Sequence, residues 1–234
     1  MKSSKLIIAT AALLIATLGG CSLKSNNNDP TPSTPQAAVA FFHAAPASPS
    51  MDVIMDNVTI STTAFAYAKF SGYLSVTPGS RSLRFSSVGD RSTQLDTSIN
   101  VLQDVSYSFV LYNKGSKCKS VLITDTPQTF ASTTGIMIRF LHVSPDTPAV
   151  KAVIVGETKH LSDDTDVTEV TDFTEYPFKN ITLEVRSLAD DHVIISTAFE
   201  PTTPHQYFTV ALTGYQNPPV NNNNKLALTL INNN

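Results

Sequence analysis

Histidine is the side chain best suited to proton transfer and metal ligation near neutral pH, and two of the five histidines in this chain recur in the same setting. Phe41-Phe42-His43-Ala44-Ala45-Pro46-Ala47-Ser48-Pro49 returns as Phe140-Leu141-His142-Val143-Ser144-Pro145-Asp146-Thr147-Pro148 at an offset of 99. A duplicated catalytic or metal site is the first chemistry to test. Zinc takes three or four protein ligands. Lys151, however, stands where the first copy has Asp52, and His160, His192 and His205 have no counterparts in the first copy. Phase points the same way. In Ile138-Arg139-Phe140-Leu141-His142 the charge of Arg139 marks the outward positions, so Ile138, Phe140 and His142 face inward, as do Val39, Phe41 and His43. Each histidine then closes the inward face of a strand just before prolines that cannot extend a ladder. The expected role of His43, Pro46, Pro49, His142, Pro145 and Pro148 is structural: the histidine bonds the backbone of a neighbouring loop and fastens a proline turn.

The carboxylates offer a second candidate. Asp163, Asp164, Asp166 and Glu169 cluster in Leu161 to Glu169, and Ca²⁺ takes six to eight oxygen ligands. The glycine turn and ordered spacing of an EF-hand loop are missing, so a solvated acidic loop is expected, with these four as the calcium candidates. Cys118 lies in Asn113-Lys114-Gly115-Ser116-Lys117-Cys118-Lys119, read as a turn whose lysines would favour the thiolate, with no histidine or second cysteine near it in sequence. No Gly-x-Ser-x-Gly elbow, His-Glu-x-x-His or phosphate-binding glycine loop occurs. No catalytic residue, no cofactor and no enzyme activity is expected.

The elements that would carry these residues are strands. The chain of 234 residues is 41% hydrophobic but only 15% charged, lacks Trp, and has a formal net charge of -3. That composition suits β-structure outside the cytoplasm, and the absence of a basic surplus argues against nucleic acid as a partner. Met1 to Gly20 reads as a secretory signal peptide, with Lys2 and Lys5 ahead of an apolar run that ends in small residues. Leu18-Gly19-Gly20-Cys21 resembles the bacterial lipobox. That resemblance implies cleavage before Cys21 and acylation of it, and two or more acyl chains hold a protein stably at a membrane. Ser22 to Gln36, with an Asn triplet and Pro30, Pro32 and Pro35, reads as a disordered tether. Ser22 after the cysteine resembles the pattern of outer-membrane lipoproteins, and leaves open whether the periplasmic or the outer face is occupied. Once Cys21 is lipidated, Cys118 has no disulfide partner.

The offset of 99 becomes 100 further along: Tyr73 answers to Phe173, Leu83 to Leu183, Phe85 to Val185, Ile99 to Phe199 and Tyr107 to Tyr207. The chain is therefore divided into a signal peptide (1–20), a lipid-anchored tether (21–36) and two repeats (37–130 and 131–234), parted at the small-residue stretch Ala131 to Gly135. Ser82-Leu83-Arg84-Phe85, Thr182-Leu183-Glu184-Val185-Arg186, Met51 to Met55, Val150 to Ile154 and Lys225 to Ile231 alternate with the period of two that marks strands. Pro78-Gly79, Val88-Gly89-Asp90 and Asn217-Pro218-Pro219 supply the turns. The expected fold is all-β: two tandem antiparallel β-sandwiches, immunoglobulin-like in that Tyr107 and Tyr207 stand where a tyrosine corner would be.

His-x-x-Pro-x-x-Pro, Met51-Asp52-Val53-Ile54-Met55-Asp56-Asn57, Ser71-Gly72-Tyr73 with Pro78-Gly79, and Ser82-Leu83-Arg84-Phe85 together resemble domain-of-unknown-function family 4397. The likeness runs from Ala37 through both repeats and is clearest in the first. In the second, Lys151 and Val155 replace aspartates, and Phe173 to Pro177 replaces the Ser-Gly-Tyr and Pro-Gly elements. The family implies a β-sandwich and a place in the bacterial envelope, and carries no catalytic residue over. The expected function is a non-catalytic, lipid-anchored envelope module for binding, adhesion or scaffolding, with a protein partner favoured over a glycan because no Trp offers a stacking platform. The alternatives are a structural envelope component without a specific ligand and an envelope enzyme. A groove lined by Tyr67, Tyr73 or Phe70 would mark a ligand site, and a flat apolar patch between the repeats would mark a protein partner.

Overall fold

A computed structural model describes residues 35–234, and Thr34–Asn234 form one compact unit. The signal peptide, Cys21 and all but the last residues of the tether lie outside the described residues. Among the described residues the chain is all strand and turn. The first half holds β1 (Ala37–His43), β2 (Met51–Met55), β3 (Val58–Thr59), β4 (Phe70–Val76), β5 (Gly79–Ser87), β6 (Thr93–Val101), β7 (Ser106–Lys114) and β8 (Lys117–Asp125). The second holds β9 (Gly135–His142), β10 (Val150–Ile154), β11 (Ser162–Thr165), β12 (Thr174–Pro177), β13 (Ile181–Ser187), β14 (Val193–Phe199), β15 (Tyr207–Thr213) and β16 (Ala227–Asn232).

Each half is a sandwich of two four-stranded sheets, β4-β1-β7-β8 over β3-β2-β5-β6 and β12-β9-β15-β16 over β11-β10-β13-β14. The pairs are antiparallel except β1 with β7 and β9 with β15, which are parallel. The expectation of sandwiches holds at the level of layers. The connectivity differs from constant-type immunoglobulin order, where the first two strands are neighbours; here β1 and β2 lie in opposite sheets. The proline corner after β1 is what carries the chain across.

Alternation explains which faces are dry. Met51, Val53, Leu83 and Phe85 turn inward and are buried. Phe85 stacks on Phe109 at 5.5 Å, with Phe41 packed against both. Strand registers place Tyr73 opposite Ala40, Leu83 opposite Thr97 and Leu183 opposite Thr197, in keeping with the offset of 100. At β7 the offset is 101, because Val39 pairs with Tyr107 whereas Ile138 pairs with Phe208. The extra residue lies in the longer turn ahead of β15. Tyr107 makes the expected corner, its hydroxyl accepting from Leu102 N at 3.2 Å. Tyr207 does not. It occupies the place of Ser106, its hydroxyl donates to Gln128 O, and its ring packs on Phe130 and Phe173.

The halves are joined by a third apolar cluster, made of the outward faces of β1, β7, β8 and their counterparts: Phe42 with Leu141, Ala44 with Val143, Val110 with Ala211 and Ile123 with Ile231. Each pair consists of equivalent residues, as in a twofold dimer interface. The four sheets therefore stack as successive layers, and β1 and β9 are buried on both faces. The small-residue linker is fastened too: Glu175 accepts from Ala131 N and Ser132 N at 2.7 and 2.9 Å.

Candidate functional site

The two histidine corners are built alike. His43 is fully buried; its Nδ1 accepts from Ala45 N at 3.3 Å and its Nε2 donates to Pro49 O at 3.1 Å. His142 repeats both contacts, with Ser144 N at 3.3 Å and Pro148 O at 3.1 Å. Each imidazole spends both nitrogens on the backbone of its own proline turn, leaving none for a metal or a substrate. The turns are then braced differently. Asn113 accepts from Ala47 N at 2.7 Å and donates to Ser48 Oγ, whereas its counterpart Gly214 offers only its carbonyl, to Ser144 Oγ at 2.7 Å. Gly214 is held at φ +76, and a Cβ there would meet Lys225 O at 2.2 Å.

Burial lowers the pKa of both histidines from 6.5. A depressed folded-state pKa means that the unfolded chain binds protons first as pH falls. Stability from these groups is fully present above about pH 6.5 and is lost as pH drops below it toward the folded values. Melting temperature is expected to be level above neutrality and to decline on acidification through pH 6. His43→Gln with His142→Gln should flatten that decline, read by calorimetry across pH 5 to 8. An unchanged slope would count against the neutral tautomer assigned here.

The acidic loop does not assemble. Asp163 pairs with His160 at 2.5 Å, Asp166 Oδ1 accepts from Val167 N, Glu169 Oε2 accepts from Asp166 N, and Asp164 points to solvent from β11. Among the described residues no three His, Cys, Asp or Glu side chains come together as a metal site would require. The four calcium candidates are thus spread along a strand and a turn, with Asp163 engaged by His160 and Asp166 and Glu169 by backbone N–H groups. Cys118 lies in β8 beyond the turn, opposite Asn113, with its side chain in the first core. Burial pushes its thiol up, away from the thiolate.

Sequence reasoning missed the polar cluster between the halves. Arg139, the residue that marked the outward face of β9, is outward from its own sandwich but only 3% exposed. Its Nη2 donates to Asp125 Oδ1 at 2.6 Å, its Nε to Thr209 Oγ1 at 2.8 Å, and its guanidinium lies 4.5 Å from the Phe173 ring centre. Thr209 donates to Asn233 Oδ1 at 2.6 Å, Asn233 Nδ2 to the Tyr73 hydroxyl at 3.2 Å, and Tyr73 to Asp125 Oδ2 at 2.8 Å. These contacts close a ring of hydrogen bonds across the interface, with Ser108 also donating to Asp125. Burial, and then the Asp125 carboxylate, push Tyr73 up to about 12, so it serves as a neutral donor. The register shows the ring's origin: Ala40, Tyr73, Ser108 and Asp125 in one half occupy the places of Arg139, Phe173, Thr209 and Asn233 in the other. One half supplies the cation and the other the anion.

The expected groove and the expected patch resolve separately. The apolar patch between the repeats exists, but the repeats cover it themselves. Of the aromatic residues expected to line a groove, Tyr73 belongs to the polar ring and Tyr67 stands edge-on to His43 at 6.2 Å. Phe70 does line a cleft, of about 340 Å³, between β4 and the segment that follows β3. Its walls include Phe41, Val53, Ile60, Phe65 and Leu74; hydroxyls of Ser61, Thr62, Thr63 and Ser71 and the side chain of Lys69 complete it. Its apolar walls with a few hydroxyls suit it to hold an apolar group.

No curated protein matches the chain. The model of one family, a domain of unknown function named DUF4397, matches residues 37–153. That match takes in the whole first half, both histidine corners and β10 up to Val153, and it ends short of the C-terminus to which the sequence likeness was expected to run. It covers half of the 234 residues, and the chain belongs to the DUF4397 family.

Proposed function

We propose that the protein is a non-catalytic binding module, held at the bacterial outer membrane by lipid on Cys21, that engages a partner protein with the end opposite its tether. The observation that supports this reading is the polarity of the compact unit. The chain enters at Ala37; β1 and β9 both run from that end toward their proline corners. Pro46 O accepts from Asn222 Nδ2 at 2.9 Å and Asn224 Nδ2 at 2.8 Å, which brings the first corner beside the β15–β16 connection. The entry at Gln36 and Ala37, the linker and the last residues thus share one end. The corners, the Lys114–Lys117 turn and the Gly214–Leu226 connection share the other. Loops set on a rigid scaffold are where binding residues tend to lie.

Lys114, Lys117 and Lys119 alternate with inward Cys118, so they share one face at the far end. All three are exposed and make no ion pair among the described residues. They suit an acidic patch on the partner protein. The test uses the chain from residue 21 with Cys21→Ser as bait against envelope extract and a glycan array. A protein captured by this bait and lost on Lys114→Glu with Lys117→Glu is the expected result. Capture of glycans alone, or a blank in both arms, would sink the proposal. The anchor has its own test: globomycin should block maturation of the precursor, and insensitive processing would remove lipid from the reading.

A further inference from the structure

The cleft beside β4 has a chemistry of its own. Three phenylalanines, Phe41, Phe65 and Phe70, form it with Val53, Ile60 and Leu74, and Lys69 is exposed beside it. Its volume of about 340 Å³ sits at the low end of the range, about 300–1,000 Å³, in which proteins bury small organic ligands. Lys69 makes no ion pair among the described residues. Ser61 Oγ accepts from Val53 N at 3.0 Å, which leaves its own proton free to donate.

The second half carries a different set of side chains on the same frame. Register places Thr165 where the first half has Phe65, Ala152 for Val53, Val170 for Phe70 and Thr174 for Leu74. Lys69, whose carbonyl accepts from His43 N, is replaced by Glu169, whose carbonyl accepts from His142 N. Phe140 keeps the place of Phe41, but Phe65, Phe70 and Lys69 are present together in one half and replaced together in the other. That co-occurrence carries the inference, since an apolar wall with a cation at its mouth recognises an apolar body with an anionic head.

We propose that the cleft of the first half binds a free monocarboxylate with a single apolar chain, its tail among Phe41, Phe65 and Phe70 and its carboxylate at Lys69. The site is independent of the protein-binding end proposed above, and either reading survives the loss of the other. The experiment is calorimetric titration of the Cys21→Ser chain with decanoate and with decanol, free of detergent. Saturable binding of one decanoate per chain is expected, with decanol weaker by about threefold, the scale of one exposed ion pair. Lys69→Gln should erase the preference while decanol binding stays. Ala64→Trp, which adds bulk from an exposed loop position lining the cleft, should abolish both. Absence of saturable binding, binding that survives Ala64→Trp in a folded variant, or equal affinity for the two probes would each overturn the proposal.

Discussion

Arg139→Ala is expected to cost about 3–5 kcal/mol, because it leaves the Asp125 carboxylate buried without its cation. In a domain of this size that corresponds to a fall in melting temperature of about 10 °C. The estimate follows from burial: the two side chains are 4% and 6% exposed, and removing one partner of such a pair strands the other. Arg139 also anchors Thr209 and covers the Phe173 ring, so its loss opens the polar ring at two points and uncovers an aromatic face. The net worth of the pair against apolar residues is a different quantity. Arg139→Met combined with Asp125→Leu should recover most of the loss, since apolar replacements avoid the desolvation of both ions. The exposed pair Arg81–Asp56, at 3.1 Å, is the control, and Arg81→Ala there should cost less than about 1 kcal/mol. Thermal unfolding of the three variants separates these cases. A loss for Arg139→Ala no larger than for Arg81→Ala would show that the halves are not joined through this ring.

His43→Ala should be nearly as damaging, at about 3 kcal/mol. A fully buried side chain is removed, leaving a cavity beside Phe65, and Ala45 N and Pro49 O lose their partner. His142→Ala should cost a similar amount, since its contacts are the same. Partner capture by the folded fraction should persist in both. A His43→Ala protein that melts like the parent but no longer binds its partner would reverse the assignment and make the corner a site.

Much of the first-order architecture was legible in the sequence, because one physical signal carries it. Period-two alternation in Met51 to Met55 or Thr182 to Arg186 fixes strand and inward face together, and the phase of His43 and His142 follows from it. The layering was harder to read. A strand buried on both faces loses its alternation, and in β1 and β9 the inward residues stand out no more than Phe42 and Leu141 on the other face, which are equally apolar. Arg139 misled for a related reason: charge marks the face away from a core, but not whether a second core lies beyond. Its partner Asp125 is close in sequence, yet nothing local pairs them, since the contact depends on how two sandwiches meet. Tyr207 failed as a corner because a single added residue before β15 moved it to the opposite face of its strand. The cleft was half legible. Phe70 stands out in the sequence as an aromatic beside Ser-Gly-Tyr, but Phe65 and Lys69 reach the cleft only through the path of the segment after β3.

Recognition at the end of the molecule opposite Ala37, as proposed above, is open to a direct test. A photo-crosslinking amino acid placed in the full-length protein in intact cells tests this at two exposed sites. Val220, 91% exposed, lies in the β15–β16 connection at the far end, and Leu102, 59% exposed, lies in the turn whose Asp104 N donates to Gln36 O at the tether end. A discrete protein adduct is expected from position 220, lost on Lys114→Glu with Lys117→Glu, and none from position 102. An adduct formed from position 102 and not from position 220 would contradict it.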